Sequence, residues 1–124
     1  MSIPAQDVQT FIAASFRSVW ALEVLCHLRA QRDRWVSAQA LVEALRASSL
    51  VVEQSFSNLI AAGLLIRDEA GRVQYAPANA ELDTLVEACE QLYQKSPSSV
   101  RRQIVAAANP GIAAFANAFR LKDQ

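Results

Sequence analysis

Leu59-Ile60-Ala61-Ala62-Gly63-Leu64-Leu65-Ile66-Arg67-Asp68, continued by Gly71-Arg72-Val73-Gln74-Tyr75, is the stretch in which the periodicity of the chain changes. Upstream of the glycine, Val52, Phe56, Leu59 and Ile60 recur at helical spacing. They predict a helix over about 50–62 with those four residues inward. Gly63 stands where a left-handed residue closes a helix. Beyond it, two β-prone runs flank Asp68-Glu69-Ala70-Gly71, a hairpin signal.

Working back from this stretch, Ala47-Ser48-Ser49 reads as a tight connection in which Ser48 or Ser49 caps the helix. Ser37 is a cap for the helix before it, which buries Leu41, Val42 and Leu45, and Val36 and Leu41 have the spacing of a hydrophobic staple. Trp35-Val36 is a minimal strand. A helix from about Ser18 carries Val19, Leu22, Leu25, Cys26 and Leu28, widened by Trp20 and Val24, so it is expected to be buried on more than one side. Pro4 suits a first helical position ahead of Val8, Phe11, Ile12 and Phe16. Downstream, Pro77 ends the second strand and Asn79 caps a helix with Leu82, Leu85, Val86, Cys89, Leu92 and Tyr93 on one stripe. Ser96-Pro97 opens another helix with Val100, Ile104 and Val105, and Asn109-Pro110-Gly111 breaks it. Ile112, Phe115, Ala116 and Phe119 predict a last short amphipathic helix. The expected fold is mainly α with a small β-hairpin, in one domain over residues 1–124. Within it, 1–34 form amino-terminal helices, 35–76 two helices and the hairpin, and 79–124 carboxy-terminal helices.

This order of elements, with its sharpest expression in residues 59–75, resembles the bacterial winged helix-turn-helix regulators, the broad group of MarR-like and PadR-like repressors. The resemblance implies that helix 50–62 is a recognition helix and 64–76 a wing. It further implies operator binding, transcription regulation and dimerisation through flanking helices. It implies a fold more firmly than a task, because winged helices also hold proteins.

The outward positions of helix 50–62 are expected to be Leu50, Val51, Glu53, Gln54, Ser57 and Asn58. Gln54 and Asn58 lie four apart, and either amide suits an adenine edge, while Ser57 suits a phosphate. Between Arg46 and Arg67, however, there is no Lys or Arg. Neutralised phosphates supply most non-specific affinity for DNA, so a cation-free recognition helix departs from the usual reader. Arg67 and Arg72 on the wing are candidate backbone contacts, offset by Asp68 and Glu69, with Arg46, Arg101 and Arg102 as further phosphate candidates. Leu50 and Val51 suit an apolar partner. Two functions therefore stand side by side: a regulator that binds DNA, and an interaction module that uses the same surface for a protein.

Formal net charge is zero, from 12 basic and 12 acidic residues, so no global field draws the chain to nucleic acid or membrane. Residues 79–94 hold four acids (Glu81, Asp83, Glu87, Glu90) and no base, whereas 95–124 hold five bases (Lys95, Arg101, Arg102, Arg120, Lys122) and one acid, Asp123. One reading has these segments meet, within a chain or across a homodimer. The other leaves both faces solvated.

Catalysis is not expected. His27, the sole histidine, adjoins Cys26 on a helix, where neighbours point apart, and Glu23 four residues earlier is its expected surface partner. Three glycines leave no phosphate-cradling loop, and no metal-spaced cluster or cofactor motif is present. Cys26 and Cys89 read as small buried hydrophobes in a compartment that keeps thiols reduced. No apolar run reaches the roughly 20 residues of a bilayer span, and a cytoplasmic location is expected. Trp20, Phe16, Tyr93 and Phe115 read as core aromatics, with a small-molecule effector pocket as the alternative.

Overall fold

In the computed structural model, residues 3–109 are described. They form six helices and a two-stranded antiparallel sheet in the order α1 (Ala5–Ser15), α2 (Val19–Ala30), α3 (Ala38–Leu45), α4 (Ser49–Ala61), β1 (Leu65–Arg67), β2 (Val73–Tyr75), α5 (Ala80–Lys95) and α6 (Pro97–Ala108). The expected helix around Ile112–Phe119 lies outside the described residues.

Side-chain caps set most of the helix starts. Ser18, Ser37, Ser48 and Asn79 each accept a hydrogen bond from the backbone N–H three residues on, at 2.8–3.2 Å. Pro4 precedes the first helix instead of occupying its first turn, and Pro97 opens α6. Each cap satisfies an otherwise orphaned donor and is worth about 1 kcal/mol. Gly63 leaves α4 at φ +78°, and its carbonyl accepts from Ala78 N–H at 2.8 Å, which ties the end of α4 to the chain leaving the hairpin. Arg46 ends α3 at φ +53°, a left-handed conformation that turns the chain towards α4.

The sheet pairs Leu65 with Tyr75, Ile66 with Gln74 and Arg67 with Val73. Val36 adds a one-residue third strand, exchanging backbone hydrogen bonds of 2.8 and 2.9 Å with Val73. The minimal strand expected at Trp35-Val36 is therefore reduced to a single bridge. Val36, Leu65, Val73 and Tyr75 face the core, whereas Ile66 and Trp35 are exposed.

The core is continuous. α2 packs on α4, α4 on α3 and β1, and α1 on α5 and α6. Ile12, Leu22, Val24, Leu25, Leu28, Leu41, Phe56, Leu59, Val86, Cys89, Val100 and Ile104 are all sealed from solvent to within 1%. Phe16, 2% exposed, packs edge-on against Phe11 with ring centroids 5.8 Å apart. Ile60 departs from the expectation. It is 37% exposed, because Leu59 and Phe56 set the buried face and residue 60 falls a hundred degrees off it. Among the described residues no single helix is long and apolar enough to cross a membrane.

Candidate binding surface around α4

The outer side of α4 borders an open groove of about 630 Å³ whose other wall is the α1–α2 turn. Val51, Glu53, Gln54, Ser57, Asn58 and Ala61 come from α4, and Arg17, Ser18 and Trp20 from the turn and the start of α2. Leu50, at the first turn of α4, is 67% exposed. Gln54 and Ser57 are exposed. Of the residues named from sequence, Leu50, Val51, Gln54 and Ser57 thus form a contiguous, mostly uncharged surface.

Asn58 lines the groove beside Gln54, but its amide is not free. Its side-chain NH2 donates to the Ser15 carbonyl at 2.7 Å and its oxygen accepts from the Arg17 N–H at 2.8 Å. Both backbone groups belong to the turn between α1 and α2, so the amide is a brace. Helix spacing alone did not reveal this, because the partners lie more than 40 residues away in sequence.

The wing arginines are engaged as well. Arg67 makes two hydrogen bonds of 3.0 Å to the two carboxylate oxygens of Glu53, donates through Nε to the Gly71 carbonyl, and lies 5.4 Å from the Phe56 ring centroid. Arg72 pairs with Asp68 at 2.9 Å. A planar guanidinium held by a bidentate carboxylate is geometrically committed. Arg17, Arg46, Arg101 and Arg102 have no ion-pair partner among the described residues. Arg46 sits at the α3–α4 turn. Arg101 lies 5.5 Å from the Tyr93 ring and lines, with Val19, Trp20, Glu23 and Leu45, a shallow depression on the far side of Trp20. Arg102 is exposed on α6 and lines neither hollow.

Trp20, 41% exposed, is therefore the ridge between two hollows, a place the breadth of the α2 stripe concealed. The signal was present: with Ser18 as cap, Ala21, Leu22, Val24, Leu25 and Leu28 fix the buried face and put Trp20 on its flank.

Away from this surface, the acids of α5 find partners on α2. Arg29 pairs with Glu90, Arg32 with Asp83 at 3.5 Å, and Asp83 accepts from the Tyr75 hydroxyl at 2.6 Å. That hydrogen bond, with Arg32 and Arg29 nearby, holds the Asp83 carboxyl below its ordinary value. Arg29 and Arg32 also lie over the Tyr75 ring. Glu23 accepts from the Tyr93 hydroxyl, in place of the expected pairing with His27. Both cysteines are free thiols. Burial pushes Cys89 up to about 12, and burial together with nearby Glu90 pushes Cys26 up as well, so neither is an activated thiolate. No cluster of His, Cys, Asp or Glu suited to a metal ion occurs among the described residues.

No family model, curated protein or solved structure matches the chain.

Proposed function

We propose that the chain is a winged helix-turn-helix module that holds a protein segment against the outer face of α4. The winged-helix reading is supported by the succession of α2, the Val36 bridge, α3, the short turn at Arg46–Ser48, α4, Gly63 and the hairpin. One observation carries the choice of partner: the Arg67–Glu53 bridge. The best-placed wing cation is consumed by an acid on the helix itself. What is left beside α4 is a groove in which one acid, Glu53, and one base, Arg17, offset each other, walled by Val51, Ala61 and half-exposed Trp20 and continuing to Leu50. Desolvating such a surface against apolar side chains is favourable, and tryptophan is a frequent anchor of protein interfaces. A phosphate backbone would meet Glu53 in this groove as well as Arg17, so the cation there is offset by an acid.

DNA is the second reading, and it has its own support in exposed Gln54 and Ser57 flanked by Arg17 and Arg46. Two measurements separate the readings. Proteins retained by the immobilised chain from its native host, after nuclease treatment, are compared with those retained by Val51→Asp. This change places a charge in the groove at a half-buried position near the helix start. Loss of a specific partner, with an unchanged melting temperature, is the expected result. Mobility shifts against host DNA fragments are run in parallel over a salt series. Sequence-selective DNA binding, unaffected by nuclease-independent partners and falling with a log–log salt slope of about −2 to −4, would overturn the protein reading.

A further inference from the structure

A second open surface lies where α1 and α5 run beside each other. A trench of about 720 Å³ has an apolar floor of Ile3, Phe11, Leu82 and Leu85 and reaches Ala14 near the close of α1. Asp7 and Glu81 line it, and its other lining residues are uncharged. Neither acid has an ion-pair partner among the described residues, whereas Asp83 and Glu90 of α5 are taken by α2. The neighbouring groove of about 540 Å³, which shares Ile3 and Thr84, holds both Glu87 and Lys95 and so offsets its own charge.

The end of α6 stands at the lip of this trench. Ala107 and Ala108 share a small hollow with Ala13, Ala14 and Arg17, and Ala14 belongs to hollow and trench alike. α6 opens two residues after Lys95, which lies by Ile3 and Val8, so α6 runs parallel to α1 and ends where α1 ends. The sequence Asn109-Pro110-Gly111 breaks a helix and allows the chain to reverse. Past it, Ile112, Phe115, Ala116 and Phe119 recur at helical spacing, and Arg120 and Lys122 follow. Ten residues separate Ile112 from Lys122, and ten separate Ala14 from Pro4, about 15 Å of helix in each case. A helix laid from the lip back along α1 sets its apolar stripe over the trench floor. It also brings Arg120 and Lys122 to within a turn of Asp7. The groove beside α4 is equally close, since Arg17 lines it too, but its unpaired charge is that arginine, which repels Arg120 and Lys122.

We infer that the α1–α5 trench is the seat of the chain's own residues 112–122, laid antiparallel to α1 with Arg120 and Lys122 against the trench acids. A tether of a few residues gives this segment an effective concentration that a free competitor lacks. The inference does not depend on what binds at α4.

Lys95 and Lys122 are the only lysines in the chain, so carbodiimide coupling of the full-length protein reads the contact directly. Heavy-nitrogen and light-nitrogen chains are mixed in equal amounts, coupled and mapped by mass spectrometry. The expected product joins Lys122 to Asp7 or Glu81 within single-isotope chains, and Asp7→Asn combined with Glu81→Gln removes it. Amide exchange gives a second reading. Phe115→Ser with Phe119→Ser should speed exchange along α1 by about fivefold or more and leave α4 unchanged. A mixed-isotope product would give the trench to a second copy and overturn the inference. Lys122 coupled to acids outside the trench, or to none, overturns it as well, and so does exchange along α1 that ignores the double substitution.

Discussion

At Gly63 and Asn58, single residues decide how α4 is set in the molecule. Gly63 adopts φ +78°, and a Cβ built there would meet Ala78 and Leu82 only at ordinary contact distances of 3.5 and 3.7 Å. The cost of substitution is thus conformational and not a clash. Gly63→Val should lower stability by more than about 1 kcal/mol, since a β-branched residue is strained at positive φ; urea melts that overlay on the native curve would contradict this. Asn58 was legible from sequence as a polar residue on α4 but not as a brace. Its two hydrogen bonds to the α1–α2 turn predict that Asn58→Ala destabilises by about 1–3 kcal/mol, because two backbone groups lose their partners. Asn58→Asp should recover part of the loss at most: a carboxylate accepts from Arg17 N–H but cannot donate to the Ser15 carbonyl. Equal stability of all three proteins by chemical denaturation would show that water replaces the amide without cost.

Between elements, the seam of α2 with α5 and β2 is polar where the rest of the core is not. Sequence alone sets the acids of α5 against the bases of residues 95–124, or leaves both faces solvated, and does not single out the arginines of α2, because those pairings span 51 to 61 residues (32 to 83, 29 to 90). Periodicity reports which side of a helix is apolar, and it says nothing of which charge meets which. The seam makes stability depend on pH in a definite direction. The Asp83 carboxyl is depressed by the Tyr75 hydroxyl, and then by Arg32 and Arg29. Its contribution is therefore present above the unfolded value near 3.9 and is lost as pH falls through the folded value. Because the group is about a third exposed, the effect should be modest, about 1 kcal/mol or less. Thermal melts from pH 6 down to pH 2 should show a shallower fall for Asp83→Asn than for the native protein. Parallel curves would assign the acid sensitivity to other carboxylates. Caps and the closing glycine, by contrast, act within three or four residues, which is why Ser37, Ser48, Asn79 and Gly63 could be read directly from the chain.

The whole molecule does not divide at the hairpin. Residues 79–124 read in sequence as carboxy-terminal helices of the one domain, with pairing between chains as what the resemblance implies for them. Yet Val86, Cys89, Val100 and Ile104 are fully buried in one cluster with Phe11, Ile12 and Phe16 of the amino-terminal helix. At about 1.5–3 kcal/mol for each large apolar side chain, their removal would withdraw an amount comparable to the 5–15 kcal/mol that holds a typical domain together. A chain cut after Ala78 should accordingly lose its cooperative transition, whereas the full chain unfolds in one step. A truncated protein with a sharp melt of its own would divide the molecule into two folding units. Element order was readable from sequence because each helix and strand carries its own period and punctuation. The surfaces were less legible: the α2 pattern puts Trp20 on a flank, but the grooves on either side of it arise only when elements far apart in sequence are set side by side.

The chain contains two tryptophans, and both stand at the surface in different places: Trp20, 41% exposed, on the ridge beside α4, and Trp35, 39% exposed, next to the Val36 bridge. Indole emission depends on the polarity around the ring, so the folded protein should glow at wavelengths typical of hydrated indole and remain open to quenching by iodide. In Trp35→Phe the remaining light comes from the ridge alone. A segment lying across α4 should then shift that emission to the blue and shield it from iodide, while a ligand that binds away from the ridge should leave it untouched. The protein thus carries, in one side chain, an optical gauge of whether the groove beside α4 is filled.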